Sequence, residues 1–182
     1  MNQNWSLFLD RDGVINELLP MDYVKNREEF IFNSEAMEEL ALLSKIFKSI
    51  FVVTNQQGVG KGLMSESDLD DIHNYMLEKI EGVGGRITKI YSCIHVKEAE
   101  CECRKPKTGM LKQAFQEFPE LDRNHSILIG DSSSDIEMAH LYGIHSVGMQ
   151  HIYNSNTNWT TQPDFTVNNL TELRMKVLPL IF

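Results

Sequence analysis

Short apolar runs, each followed at once by polar residues, alternate with longer segments of helical periodicity in this chain of 182 residues. The apolar runs predict strands at 6–9, 49–54, 89–95, 126–130, 146–148 and 165–167, the last at a sheet edge. The periodic segments predict helices at 34–47, 65–81, 109–118, 135–142 and from residue 170 onward. Because strands and helices alternate, we expect an α/β fold: a three-layer, Rossmann-like parallel sheet with helices on both faces.

The length and the connections favour a single domain, 1–182, with one core. The connections 12–34 and 55–65 are too short for a large cap domain. Two helix starts carry capping signals, with Asn33 or Ser34 before the first helix and Ser65 with Asp68 at the second. The segment 151–163 lacks periodicity and is expected to be a mobile surface loop.

Charge and termini limit the partners that we expect. Twenty-six acidic and 17 basic side chains give a net charge of -9, which disfavours nucleic-acid binding and requires a local positive site for any anionic substrate. The N-terminus, MNQNWSLFLD, lacks a basic segment followed by an apolar one, and no apolar run reaches the length of a membrane span. We therefore expect a cytoplasmic monomer without a membrane or nucleic-acid partner.

Four polar motifs lie where ligands gather in open parallel sheets, just beyond strands or at a helix start. In LFLDRDGVIN, Asp10 and Asp12 follow the first strand, so that one carboxylate could act as nucleophile and the other as proton donor and acceptor. An acidic turn that merely ends the strand is the alternative. In TNQQGVGKG, Thr54 and Asn55 suit phosphate oxygens, although the spacing does not match a nucleotide P-loop.

The other two motifs supply a cation and further acids. RKPKTGM places Arg104 and Lys105 in the densest basic cluster, just before a helix, which suits an anion; a solvated charged turn is the alternative. In ILIGDSSSD, Asp131 follows a buried strand and could complete a magnesium site with the acids after the first strand. Asp135 either supports that site or caps the next helix.

The ordered motifs resemble those of the haloacid dehalogenase (HAD) superfamily of phosphohydrolases. The matching residues are Asp10 and Asp12 with Gly13, then Thr54-Asn55, Lys105, and Gly130-Asp131 with Asp135. FLDRDGVIN, TNQxGVGKG and CRKPxxGM resemble the subgroup that contains heptose bisphosphate 7-phosphatases and histidinol phosphatases. The resemblance covers about residues 6–148 and implies a HAD-like fold.

The resemblance implies a magnesium-dependent phosphatase with an aspartyl-phosphate intermediate. Asp10 would attack phosphorus, and Asp12 would protonate the leaving oxygen and then activate water. Magnesium would be bound by the carboxylates of Asp10 and Asp131 and the backbone carbonyl of Asp12. Phosphate ligands would be Thr54, Asn55, Arg104 and Lys105, and Asp135 would support the metal or Lys105.

A second metal site is predicted between the third strand and the basic motif. Cys93, His95, Cys101 and Cys103 form C-x-H-x5-C-x-C and include every cysteine of the chain, a pattern that suits a closed, structural zinc site in a loop at 93–103. Unrelated thiols beside a surface histidine are the alternative. Such a zinc would shape the substrate rim directly before Arg104 and Lys105.

The expected substrate is a small sugar phosphate. The glycine–lysine loop at 58–62 and the Lys-Pro-x-x-Gly-Met stretch resemble the heptose group, which favours D-glycero-D-manno-heptose 1,7-bisphosphate with loss of the 7-phosphate. The five-residue zinc spacer instead resembles histidinol phosphatases, so histidinol phosphate or another sugar phosphate is the alternative. The acidic charge disfavours a DNA 3'-phosphatase, and the complete set of aspartates disfavours a non-catalytic binding module.

Overall fold

The computed structural model describes residues 4–150 and 159–182, and its described strands form one parallel six-stranded sheet. The strands are β1 Ser6–Leu9, β2 Ser49–Asn55, β3 Lys89–Cys93, β4 Ser126–Gly130, β5 His145–Met149 and β6 Phe165–Val167. Their order across the sheet is β3-β2-β1-β4-β5-β6, and each neighbouring pair is parallel. This confirms the predicted α/β fold, and β6 lies at the predicted edge.

Helices connect the strands. They are α1 Ala36–Leu43, α2 Gln57–Gly60, α3 Glu66–Gly82, α4 Gly109–Glu117, α5 Ser133–Tyr142, α6 Leu170–Glu172 and α7 Leu178–Ile181, with a π-helical segment Leu173–Val177 between the last two. Ser65 and Asp68 form the predicted capping box of α3. The connections 12–34 and 55–65 carry only the 3₁₀ turn Arg27–Glu29 and the single turn of α2.

The first helix departs from its prediction. It covers Ala36–Leu43 instead of 34–47, and its N-cap is Glu35, in a left-handed conformation with φ 71° and without a side-chain cap. Asn33 does not cap the helix because its amide donates to the carbonyls of Gly13 and Val14, 3.1 and 3.0 Å away. A contact distant in sequence therefore takes the side chain that local spacing assigned to the helix.

Each face of the sheet buries its own core. Leu7 and Leu9 of β1 point into the core under α1, α3 and the C-terminal helices, while Phe8 points into the core under α4 and α5. Burial on both faces explains why the strands read as continuous apolar runs.

The predicted mobile loop 151–163 falls partly outside the described residues, since 151–158 are not among them. Residues 159–163 have neither helix nor strand, as predicted, but Trp159 is buried instead of lying at the surface. Among the described helices, none is long and apolar enough to cross a membrane.

Candidate active site and metal-binding loop

The central strands bring three carboxylates together. Asp10 directly follows β1 and Asp131 directly follows the neighbouring β4, while Asp135 lies in the first turn of α5. All three are buried, and each offers an oxygen within 4.8 Å of the others'. Gly13 permits this approach, because a Cβ at that position would lie 2.2 Å from Asp131 Oδ2. The cluster therefore has the geometry to bind a hard cation.

Lys105 enters this cluster from the loop before α4. Its Nζ lies 2.9 Å from Asp10 Oδ1 and 2.6 Å from Asp135 Oδ1, and it also donates to the carbonyl of Val53 at 3.0 Å. Asn55 holds the main chain of Lys105, since its Oδ1 accepts from the Lys105 amide at 3.1 Å. The neighbouring carboxylates raise the pKa of Lys105 against the opposing effect of burial, so its charge is retained.

The charges within the cluster do not balance. Burial, helped by the carboxylates of Asp135, Asp131 and Asp12 and opposed by Lys105, raises the pKa of Asp10 to about 8. With one ammonium beside three buried carboxyl groups, ionisation of all three would leave an excess of negative charge, which a divalent cation would neutralise. The donor set, carboxylate oxygens only, is the one that magnesium prefers.

Three donors hold the second acid of the DRD motif. Asp12 Oδ1 accepts from Arg11 Nη2 at 2.8 Å and from Asn16 Nδ2 at 2.9 Å, and Asp12 Oδ2 accepts from Gln56 Nε2 at 2.7 Å. Burial opposes ionisation, but the charge of Arg11 and these hydrogen bonds hold the pKa of Asp12 below its usual range. Gln56 Nε2 also donates to Thr54 Oγ1 at 2.8 Å, which links Asp12 to the predicted phosphate ligand.

Arg11 is fully buried between the two aspartates and has a partner from a distant helix. Its Nη1 lies 3.3 Å from Nε2 of His73 in α3, and its guanidinium lies 5.8 Å from the centre of the Phe30 ring. Because an arginine can only donate, His73 Nε2 must accept, and the imidazole is neutral. Burial and the positive charge of Arg11 lower the pKa of His73 to about 3.

The predicted zinc ligands converge beside β3. The Sγ atoms of Cys93, Cys101 and Cys103 lie 3.0–3.4 Å apart, and His95 Nδ1 lies 3.3 Å from Cys103 Sγ and 3.8 Å from Cys93 Sγ. The cysteines form no disulfide. Ligands bound tetrahedrally to zinc stand about 3.5–3.8 Å apart, so these four atoms fit a closed zinc site after small adjustments.

The loop that contains these ligands contacts Arg104, the residue before Lys105, and the short helix α2. Arg104 Nη1 lies 3.4 Å from the carbonyl of His95, and the amide of Gly60 donates to the carbonyl of Ile94 at 3.0 Å. A Cβ on Gly60 would lie 2.6 Å from that carbonyl oxygen, so only glycine allows this approach. The ligand loop therefore packs directly against α2, which follows Thr54 and Asn55.

Four residues beside the site are missing from the sequence-based prediction: Arg11, Asn16, Gln56 and His73. The first three stand inside predicted motifs, and their burial next to Asp12 is the signal that a fold-level argument could have used. His73 carried no such signal, because it meets Arg11 only through the packing of α3.

Comparisons with known proteins agree with this geometry. A HAD-hydrolase-like family model matches residues 102–173. D-glycero-α-D-manno-heptose-1,7-bisphosphate 7-phosphatase of Mycobacterium tuberculosis is 42% identical over 136 residues, 75% of this chain and 72% of that protein. The β-anomer phosphatase of Helicobacter pylori is 35% identical over 137 residues, 75% of this chain and 78% of that protein. A crystal structure of D,D-heptose 1,7-bisphosphate phosphatase from B. bronchiseptica, complexed with magnesium and phosphate, has a TM-score of 0.87 at 24% identity and covers 97% of this chain and 99% of that one.

A parallel α/β sheet with paired aspartates after its central strand and a buried lysine beside them defines a phosphomonoester hydrolase of the HAD type. Within that class, the chain belongs to the family of D-glycero-D-manno-heptose-1,7-bisphosphate 7-phosphatases.

Proposed function

We propose that the protein is a magnesium-dependent phosphatase that removes the 7-phosphate from D-glycero-D-manno-heptose 1,7-bisphosphate. The observation that carries the mechanism is the juxtaposition of Asp10, Asp131 and Lys105, with Asp12 held separately by its own donors. The identity of 42% to relatives named for the α-anomer, against 34–38% to relatives named for the β-anomer, supports the α-anomer as the preferred substrate.

Asp10 is the nucleophile in this mechanism. A carboxylate oxygen of Asp10 forms a bond to phosphorus as the bond to the sugar oxygen breaks, and the Asp12 carboxylic acid gives its proton to that oxygen. Asp12, now a carboxylate, then takes a proton from water, whose oxygen attacks phosphorus and releases phosphate from Asp10. The negative charge of the bound ester favours the proton on Asp12 before the first step.

The remaining groups bind the phosphate ester and neutralise its negative charge. Asp10 and Asp131, with the backbone carbonyl of Asp12, would hold magnesium, which supplies charge neutralisation for the transferred phosphoryl group. Lys105 and the Thr54 hydroxyl would contact phosphoryl oxygens, while Asn55 and Asp135 fix Lys105 through the contacts described above. Arg104 would bind the substrate at the rim. A zinc ion bound by Cys93, His95, Cys101 and Cys103 would be structural.

Histidinol phosphate remains the second candidate, because the short spacer between His95 and Cys101 resembles that group. The test is a panel of kcat/KM values with magnesium for both heptose bisphosphate anomers, histidinol phosphate and common hexose phosphates. We expect the α-anomer to be preferred and Asp10→Asn to abolish turnover of every ester. Preference for histidinol phosphate would refute the substrate, and normal turnover by Asp10→Asn would refute the covalent mechanism.

The proposal includes a monomer in the cytoplasm that needs no nucleic-acid or membrane partner. Size-exclusion chromatography with light scattering tests the first part, for which one chain of 20.9 kDa is expected.

A further inference from the structure

We propose that Gln56 is a positioning residue for phosphoryl transfer: its amide holds the Asp12 carboxylate in the orientation from which the proton passes to the leaving oxygen. The inference rests on the proposed function, in which Asp12 is the general acid. Gln56 contributes no atom to the reaction, and it would act only through its two hydrogen-bond partners.

The backbone and side chain of Gln56 are both fixed. The residue follows the last residue of β2, is 1% exposed, and donates its backbone amide to the carbonyl of Cys93 at the end of β3, 2.7 Å away. A side-chain amide nitrogen carries two hydrogens. Both are used, one by Asp12 Oδ2 at 2.7 Å and one by Thr54 Oγ1 at 2.8 Å. Gln56 is therefore a rigid bridge between the acid and the phosphate ligand.

The hydrogen bonds of Asp12 distinguish its two oxygens. Oδ1 accepts from both Arg11 and Asn16, whereas the contact that Gln56 makes is on Oδ2. An oxygen that already accepts two hydrogen bonds has no lone pair well placed for a proton, so the transferable proton belongs on Oδ2. Oδ2 is also the Asp12 oxygen nearer to Thr54, because Nε2 of Gln56 donates both to Asp12 Oδ2 and to Thr54 Oγ1.

The chemistry of the step shows what Gln56 would contribute. As the proton leaves Asp12 Oδ2 for the sugar oxygen, the acid becomes a carboxylate, and a hydrogen bond to that charged form stabilises it. The same amide makes Thr54 Oγ1 an acceptor, which directs the threonine hydrogen toward another oxygen, that of the phosphoryl group. The first effect depends on the need to protonate the leaving group, and the second does not.

This difference gives a test that a merely structural role would not pass. A sugar alkoxide needs a proton to depart, whereas the p-nitrophenolate of p-nitrophenyl phosphate leaves without one. The parameter kcat/KM covers the steps through departure of the leaving group, so it isolates acid catalysis from the later attack of water. The variant is Gln56→Met, which keeps the length of the side chain but has no donor. The matched control is the neighbouring Gln57→Met, because Gln57 donates to the hydroxyl of Tyr23 instead, at 2.7 Å.

We expect Gln56→Met to lower kcat/KM about 100-fold for the sugar phosphate and no more than about 3-fold for p-nitrophenyl phosphate, within the range of general-acid effects. Gln57→Met should leave the ratio of the two values unchanged. The ratio is taken within one preparation, so a partly unfolded sample and any loss through Thr54 affect both esters alike and cancel. Equal losses on both esters, or no loss on either, would overturn the proposal.

Asp12→Asn separates failure of this proposal from failure of the proposed function. If Asp12 is the general acid, Asp12→Asn also lowers kcat/KM for the sugar phosphate much more than for p-nitrophenyl phosphate. Selective loss in Asp12→Asn without selective loss in Gln56→Met refutes the role of Gln56 alone. Equal losses on both esters in Asp12→Asn, or a wild-type protein that hydrolyses neither ester, refute the proposed mechanism and this inference with it.

Discussion

The buried His73 should make the stability of the protein depend on pH. The imidazole is 8% exposed and accepts a hydrogen bond from Arg11, so the folded state holds it neutral, with a pKa of about 3 against an ordinary value of 6.5. The unfolded chain therefore binds a proton between those values that the folded chain does not. The contribution of a neutral His73 is fully present above pH 6.5 and is lost as the pH falls below it, by about 2 kcal/mol at pH 5.

Urea unfolding of the wild type and of His73→Gln at pH 7.5 and pH 5 measures this contribution. Glutamine offers an amide oxygen to Arg11 but does not titrate in this range. The wild type should lose about 2 kcal/mol more than the variant between the two pH values. Release of metal ions at pH 5 affects both proteins and cancels in that difference. Equal losses in the two proteins would refute a buried, neutral His73 that accepts from Arg11.

Two further predictions concern the metal-ligand loop and the buried lysine. Chelation of zinc, or Cys101→Ser, should lower Tm by about 10 °C, because a tightly bound ion adds about 4 kcal/mol to the stability of a chain of this size; elemental analysis that finds no zinc in the purified wild type would contradict this. Lys105→Met should lower kcat/KM about 10²–10³-fold and destabilise the fold by about 3–5 kcal/mol in urea, since it leaves the buried carboxylates without their ammonium partner. An unchanged free energy of unfolding would show that burial of these carboxylates does not require the Lys105 ammonium.

Local patterns in the sequence predict the strands well because burial on both faces makes each one a continuous apolar run. The bounds of β4 and β6 agree with the prediction residue for residue, and β3 ends two residues early, at Cys93. The positions of the polar motifs follow from the same rule, since residues just beyond parallel strands must meet at one edge of the sheet.

Contacts between residues distant in sequence account for what the patterns do not predict. Asn33 was the predicted N-cap of α1, and this is wrong because its side chain instead donates a hydrogen bond to the carbonyl of Gly13, 20 residues away in the turn after β1. The pair of Arg11 and His73 spans 62 residues, and no local spacing indicates it. The side chain of Asn55 holds the backbone of Lys105, 50 residues away, a contact that the Thr-Asn motif alone does not indicate. Such roles depend on tertiary packing, which determines the hydrogen-bond partner of each polar side chain.

The metal-ligand loop contacts the segment after β2 through main-chain hydrogen bonds. Cys93 ends β3, and its carbonyl accepts from the backbone amide of Gln56, the residue whose side chain holds Asp12. A single backbone hydrogen bond thus connects Cys93, a predicted zinc ligand, with Gln56, whose side chain holds the predicted general acid. Gly60 makes a second such contact, because its amide donates to the carbonyl of Ile94 inside the loop. A structural ion in this loop would therefore help to fix the segment that follows β2.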